Sequence, residues 1–170
     1  IKPSATIQVS MKAMELRAQG KDILSLGVGE PDFDTPKHIR QAAIAAIRAG
    51  KTRYTEVDGT PELKRAIIDK LRRENGLEFE APQIIVSSGA KQTCYNVCGA
   101  VLNPGDEAIV PAPYWVSYPD MIKLADAEPV IVAAMLEDGF KINPRALEAA
   151  ITPRTRLIFL NSPSNPTGAA

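Results

Sequence analysis

Ile39, Ala43 and Ile47 stand four residues apart, which is the spacing of one face of an α-helix. Thr35-Pro36 ahead of them supplies a capping hydroxyl and a proline at the first helical position, and Gly50 behind them supplies a stop. Thr60-Pro61-Glu62 repeats the start signal, Leu63, Ile67 and Leu71 make the apolar face, and Gly76 ends it. After that the rhythm changes to short, nearly continuous apolar blocks. Gln83–Ser88, Glu107–Pro111, Pro129–Ala133 and Arg156–Leu160 each read as a strand buried on both faces. Between them, Gly89 opens a helix to Leu102, Asn103-Pro104-Gly105-Asp106 forms a turn, Trp115–Ala125 reads as helix, and Asn143-Pro144 caps a helix to Ile151. Buried strands alternating with helices predict an α/β fold: a mainly parallel sheet with helices on both faces.

Composition narrows the function classes. The 170 residues are 45% apolar and 24% charged, with Lys+Arg and Asp+Glu at 20 each, so no basic excess points to nucleic acid. No apolar run approaches the length of a membrane span, and the charged first twenty residues do not resemble a secretory signal, so a cytoplasmic location is expected. Cys94 and Cys98 share a helix face without a histidine nearby in sequence, and read as small buried residues kept reduced; no metal site is expected. His38, in the first turn of its helix, reads as a surface residue.

Four stretches carry candidate chemistry. In Val86-Ser87-Ser88-Gly89-Ala90-Lys91-Gln92 a strand runs through small residues directly into a helix. The free N–H groups and positive dipole end at that helix start suit a phosphate, although a tight strand-to-helix turn alone also requires small residues. The stretch lacks the Gly-Lys-Ser/Thr ending of a Walker loop, and Leu26-Gly27-Val28-Gly29-Glu30-Pro31 lacks the third glycine of a dinucleotide fingerprint. Gly27 and Gly29 fit either a plain loop or a backbone lying against a ligand. Trp115, the sole tryptophan, follows a strand end, where it fits either the core or a stack on a flat ring. Finally, Leu157–Ala170 (LIFLNSPSNPTGAA) runs from a strand into a rigid polar turn, the arrangement that delivers side chains to the edge of a parallel sheet.

Taken in order, LGVGEPDFDTP (26–36), KTRYTEVDGTPELKRAI (51–67), SSGAKQ (87–92), PAPYWVSYPDM (111–121) and NSPSNPTG (161–168), with KPSAT (2–6) near the start, resemble the class I aminotransferases, in particular the bacterial aspartate aminotransferase subgroup. The resemblance covers essentially the whole chain. It implies a pyridoxal 5′-phosphate (PLP) cofactor, the type I fold of PLP-dependent transferases, and transfer of an amino group from aspartate or a similar dicarboxylic amino acid to a 2-oxo acid. Residues 1–36 would be the N-terminal arm and small-domain entry segment, and 37–170 the first part of the large PLP-binding domain. It further implies that the backbone of Gly89, Ala90 and Lys91 holds the cofactor phosphate and that Trp115 stacks on the pyridine ring. Asn165 would bond the ring's 3′ oxygen and contact substrate, and Gly29 would offer its backbone to the α-carboxylate. Lys91 and Thr6 match positions linked to the distal carboxylate. Tyr54 matches a tyrosine that reaches the phosphate of the neighbouring subunit, hence a homodimer with shared sites.

The family pattern continues beyond the N-P-T-G turn, where it places the Schiff-base lysine, the aspartate at the pyridinium nitrogen and the arginine for the α-carboxylate. No lysine here has the matching motif context, so no catalytic residue is assigned to this chain, the fold is expected to be incomplete at the C-terminus, and the 170 residues alone are expected to be inactive. Aromatic or prephenate aminotransferases, lyases on the same fold, and a catalytically dead PLP-binding module are the alternatives.

Overall fold

The structure is a computed structural model that describes residues 4–170; Ile1, Lys2 and Pro3, and with them the start of the KPSAT stretch and of the 1–36 segment, lie outside the described residues. The chain forms two compact units, Ile1–Thr55 and Glu56–Ala170. The first holds helices α1 (Ala5–Ala18) and α2 (Lys37–Arg48). The second holds, in order, α3 (Pro61–Lys70), α4 (Ala90–Val101), β1 (Glu107–Ala112), α5 (Ser117–Leu124), β2 (Glu128–Ala133), α6 (Pro144–Ala150) and β3 (Thr155–Ile158).

The three strands make a parallel sheet in the order β2-β1-β3. β1 and β2 pair without a break from Glu107↔Glu128 to Ala112↔Ala133. β1 therefore has a neighbour on each side, and its residues Ala108, Ile109 and Val110 are completely buried. Alternation sends Ala108 and Val110 to one face, where they join Cys98 and Leu102 from the α4 side and Met121 and Ile122 of α5 in the main core. A buried isoleucine or valine contributes about 1.5–3 kcal/mol, so this cluster is the main apolar support of the sheet.

Local chemistry explains most element ends. Thr60 Oγ1 accepts the Leu63 N–H at 3.3 Å at the start of α3, and Asn143 Oδ1 accepts from Arg145 (2.9 Å) and Ala146 (3.4 Å) at the start of α6. Gly76, at φ +64°, ends the helical turn Leu71–Asn75 that follows α3.

The structure corrects several expectations. Gln83–Ser88 is not a strand: Ala81–Gln83 is a 3₁₀ turn, and Ile84–Ser87 runs without a ladder partner among the described residues. The Val86 N–H donates instead to the loop carbonyl of Asp58 at 3.0 Å, and Ile85 is exposed. An apolar run makes a strand only where a second strand accepts its hydrogen bonds. The helix expected over Trp115–Ala125 begins at Ser117, because Trp115 and Val116 form the turn leading into it. Thr35 does not cap α2; the Pro36 carbonyl takes the Ile39 and Arg40 N–H groups, and no side chain caps that end. β3 pairs over Thr155–Ile158 rather than Arg156–Leu160, although the Phe159 N–H still reaches the Ile109 carbonyl at 3.0 Å. Helix α1 was not expected: Ile7, Met11 and Met14 share one face, but Val9 and Leu16 fall opposite them, so no single apolar face stands out, and Ile7, Val9, Met11 and Met14 are exposed.

Two polar ties brace the second unit. At the start of β1 the nearly buried Glu107 accepts the Thr152 hydroxyl at 2.6 Å on one oxygen and pairs with the Arg154 guanidinium on the other. The Thr152 hydroxyl above all, with Arg154 beside it, outweighs the effect of burial and holds the Glu107 carboxyl below the ordinary glutamate range. Near α3, Asp58 pairs with the buried Lys64, while Gly59 sits at φ +107° against Val86.

Because its folded pKa is depressed, the Glu107 contribution is complete above the unfolded glutamate pKa and is lost as pH falls through the folded one. Denaturant midpoints measured from about pH 5 to about pH 3 should therefore drop more steeply for the native sequence than for Glu107→Gln. Parallel curves would remove Glu107 as the acid-sensitive tie. At Gly59, a Cβ would lie 2.5 Å from Val86 Cγ2 and 2.9 Å from Val86 Cβ, in a backbone conformation rarely taken by L side chains. Gly59→Ala should cost on the order of 2–4 kcal/mol in urea unfolding; a loss under about 0.5 kcal/mol would mean that the loop relaxes freely.

Candidate functional site

Parallel pairing places the carboxyl ends of β1, β2 and β3 along one edge of the sheet, and the candidate residues of the second unit gather there. Beyond β1, Ala112-Pro113 is a cis peptide and the chain turns through Tyr114 and Trp115 into α5. Trp115 is half-buried and meets Tyr118 edge to face, with centroids 5.4 Å apart and planes at 89°. Tyr118 stacks in turn on Phe159, just past β3, at 4.6 Å and 24°. This row of rings fixes the indole to both α5 and the end of β3. Burial, and secondarily Cys94, pushes the Tyr118 phenol above its ordinary pKa, which suits a packing role.

At the start of α4, Gly89 takes φ +87°, and a Cβ there would meet nothing within 4 Å. The Ser88 N–H is taken by Gln92 Oε1, and the Gly89 N–H by the Ser87 carbonyl at 2.8 Å. The next two donors, the N–H groups of Ala90 and Lys91, have no acceptor within the described chain. They lie exposed at the positive end of a 12-residue helix with no acidic side chain in its first turn. Lys91 links this turn to the indole, its Nζ standing 5.1 Å from the Trp115 ring centroid.

After β3, residues 161–170 form a turn in which Ser162-Pro163 and Asn165-Pro166 are cis. Asn165 lines a cavity of about 340 Å³ together with Asn161, Tyr114, Tyr118, Phe140 and Phe159. A cavity lined by the rings of Tyr114, Tyr118, Phe140 and Phe159 and by two asparagines suits a flat ligand carrying a polar edge.

The structure thus brings Lys91 to Trp115, and Asn165 to the Tyr118 and Phe159 rings that support Trp115. Gly89 and Ala90 sit beside Lys91 at the helix start. Thr6, Gly29 and Tyr54 belong to the first unit. Within it, Thr6 is half-buried and accepts the Ser10 hydroxyl on its carbonyl at 2.9 Å, Gly29 is exposed in a loop, and Tyr54 is fully exposed. Cys98 is fully buried and its thiol pKa is raised by burial; Cys94 is half-buried against the same core, and His38 is on the surface. Among the described residues no cluster of three His, Cys, Asp or Glu could hold a metal, and no helix is long and apolar enough to cross a membrane. Sequence reasoning missed Asn161, Tyr118 and Phe159. Asn161 and Tyr118 lie inside quoted motifs, NSPSNPTG and PAPYWVSYPDM, whereas Phe159 had no motif signal.

The family profile described as aminotransferase class I and II matches residues 21–170. The chain is 62% identical over 170 residues to the aspartate/prephenate aminotransferase of Cereibacter sphaeroides, covering 100% of this chain and 42% of that protein. It is 58% identical over 169 residues to the enzyme of the same name from Nitrosomonas europaea, covering 99% of this chain and 43% of that one. Among solved structures, the aspartate aminotransferase of Thermus thermophilus with maleate superposes at a TM-score of 0.94 with 50% identity, over 98% of this chain and 44% of that one. The chain therefore spans less than half the length of these relatives.

Proposed function

Because the chain belongs to the class I and II aminotransferases, we propose that the whole protein moves an amino group from aspartate, or a similar dicarboxylic amino acid, to a 2-oxo acid. Its fold is that of the type I PLP-dependent transferases, of which this chain spans less than half. The family is PLP-dependent. The observation that carries the assignment to this chain is the start of α4: two unpartnered N–H groups and an open Gly89, joined through Lys91 to Trp115. That arrangement fits a phosphate and a flat ring on one ligand.

On this reading the Ala90 and Lys91 N–H groups donate to the phosphate, and Gly89 leaves it room to approach. Trp115 offers its indole face to the ring, and the Asn165 amide donates to the ring's 3′ oxygen and contacts substrate. Gly29 presents its backbone to the α-carboxylate, while Thr6 and the Lys91 ammonium serve the distal carboxylate. When bound, PLP supplies the electron sink that makes the substrate's α-proton removable. No residue of this chain is assigned to that proton transfer. Residues 1–36 are proposed as the arm and small-domain entry, and 37–170 as the first part of the large domain. The exposed Tyr54 phenol is proposed to donate to the phosphate of a second subunit, making a cytoplasmic homodimer with shared sites that serves amino-acid biosynthesis.

Maleate, the compound named with the Thermus structure, is a dicarboxylate, which supports the acidic substrate class. The relatives at 62% and 58% identity favour a second acceptor, prephenate, beside the simpler 2-oxo acids.

The decisive assay follows amino transfer by the whole protein from aspartate, and from a neutral amino acid, to 2-oxoglutarate and to prephenate. A dicarboxylate-selective enzyme is expected. No aspartate-dependent transfer in the presence of PLP would end this assignment. Lys91→Ala should lower kcat/KM for aspartate by roughly ten- to a hundredfold relative to the neutral substrate, the worth of one charge-assisted contact. Equal losses on both would leave Lys91 only its backbone role. Trp115→Ala should weaken PLP retention clearly more than Trp115→Phe, which keeps a ring; equal and negligible effects would return Trp115 to the core.

A further inference from the structure

Asn165 is tied to the sheet through one neighbour. The Ser164 N–H reaches the Ala169 carbonyl and the Gly168 N–H reaches the Ser164 carbonyl, both at 2.7 Å, so the turn is closed mainly upon itself. The Ala169 N–H is held by Thr167 Oγ1, again within the turn. One hydrogen bond among the described residues connects residues 164–170 back towards the strand: the Asn165 N–H donates to Oδ1 of Asn161 at 2.8 Å. Asn161 stands two residues past Phe159, whose N–H is held at 3.0 Å by the carbonyl of the fully buried Ile109 in β1. Apart from the main chain itself, the hydrogen-bonded path from the sheet to Asn165 among the described residues therefore runs through the Asn161 side chain, and both asparagines line the same cavity.

We propose that Asn161 is a positioning residue for Asn165. Its side-chain carbonyl fixes the main chain at Asn165 and so sets where the Asn165 amide is presented in the cavity. This rests on the reading that Asn165 serves the cofactor ring. The role needs an acceptor at Oδ1 and nothing from the Asn161 amide nitrogen, so aspartate can replace asparagine there and alanine cannot.

The test uses the whole protein and two readouts besides activity: the Kd for PLP by equilibrium dialysis, and the pH midpoint of the bound cofactor's visible absorption change. Asn161→Ala should raise the Kd roughly three- to tenfold, the worth of one neutral hydrogen bond. It should also move the midpoint in the same direction as Asn165→Ala. The double variant should bind no more weakly than Asn165→Ala alone, because a residue acting through another loses its effect once that partner is gone. Asn161→Asp should keep the Kd within about threefold of the native value; the midpoint is compared only among uncharged variants, since a new carboxylate shifts it directly. Additive losses in the double variant, or an Asn161→Asp as damaging as Asn161→Ala, would overturn the proposal. If Asn161→Ala fails to fold, the Asn161→Asp affinity decides alone, retention supporting the role and loss refuting it. A silent Asn165→Ala would overturn the Asn165 assignment and this role with it. A silent Asn161→Ala beside a damaging Asn165→Ala would overturn the positioning role only.

Discussion

Among the described residues, β1 is the one strand with a parallel neighbour on each side, and its register decides what stands at the working edge. Side chains alternate across a strand, so a slip of one residue would exchange Ala108 and Val110 with Ile109 between the two faces. It would also move Ala112, and the Pro113-Tyr114-Trp115 turn behind it, along the edge relative to β2 and β3. The complete burial of Ala108, Ile109 and Val110 makes such a slip costly. At the other end of β1, the pairing of Glu107 with Thr152 and Arg154 fastens the strand to the loop before β3. The apolar middle and the ionic start thus hold β1 against lengthwise movement, which keeps Trp115 and the post-β3 turn in step.

From that edge, positional accuracy spreads by contacts of different stiffness. The rings of Trp115, Tyr118 and Phe159 transmit it through van der Waals packing, which tolerates little displacement. The post-β3 turn receives it through a hydrogen bond from an exposed main-chain N–H, a softer link. The start of α4 receives it through core residues of that helix, of which Cys98 is fully buried, and its own donors remain open. A rigid frame carrying unsatisfied donors is a binding surface before any ligand arrives, because the cost of ordering it has been met by folding.

Residue pattern disclosed much of this, and unevenly. The starts of α3 and α6 were readable because Thr60-Pro61 and Asn143-Pro144 act over three residues, within reach of local chemistry. β1 was readable because a strand with a neighbour on each side is apolar through its buried stretch, whereas β2 kept an apolar run although it is an edge strand with Ile131 exposed, so its expected burial on both faces did not hold. Gln83–Ser88 has the same apolar pattern and forms no ladder, since hydrogen-bond partners are a property of the neighbour and not of the run. Helix α1 was hidden for another reason, as its apolar residues stand on opposite sides of the helix, Ile7, Met11 and Met14 against Val9 and Leu16, and give no single face. In the site, Gly89, Trp115 and Asn165 were marked by residue type and motif. The Lys91–Trp115 contact joins positions 24 residues apart in sequence (115 − 91), and only the packing of α4 beside β1 and α5 could reveal it.

The size of that contact bears on how Lys91 can serve two ends of one site. A cation over an indole at an exposed position is worth roughly 0.5–1 kcal/mol. A charge-assisted hydrogen bond to a carboxylate is worth about 1.5–3 kcal/mol. The ammonium resting over Trp115 is therefore held loosely enough to be drawn off by a dicarboxylic substrate, and too weakly to compete with one. The Lys91 main chain is different, being part of the first turn of α4, and its N–H stays aimed outward whatever the side chain does. On the proposed reading, one residue separates two tasks by stiffness: a fixed donor for the phosphate and a mobile cation for the substrate. A glutamate or aspartate at position 91 would place a negative side chain beside a phosphate, so an acidic residue there would oppose both tasks at once.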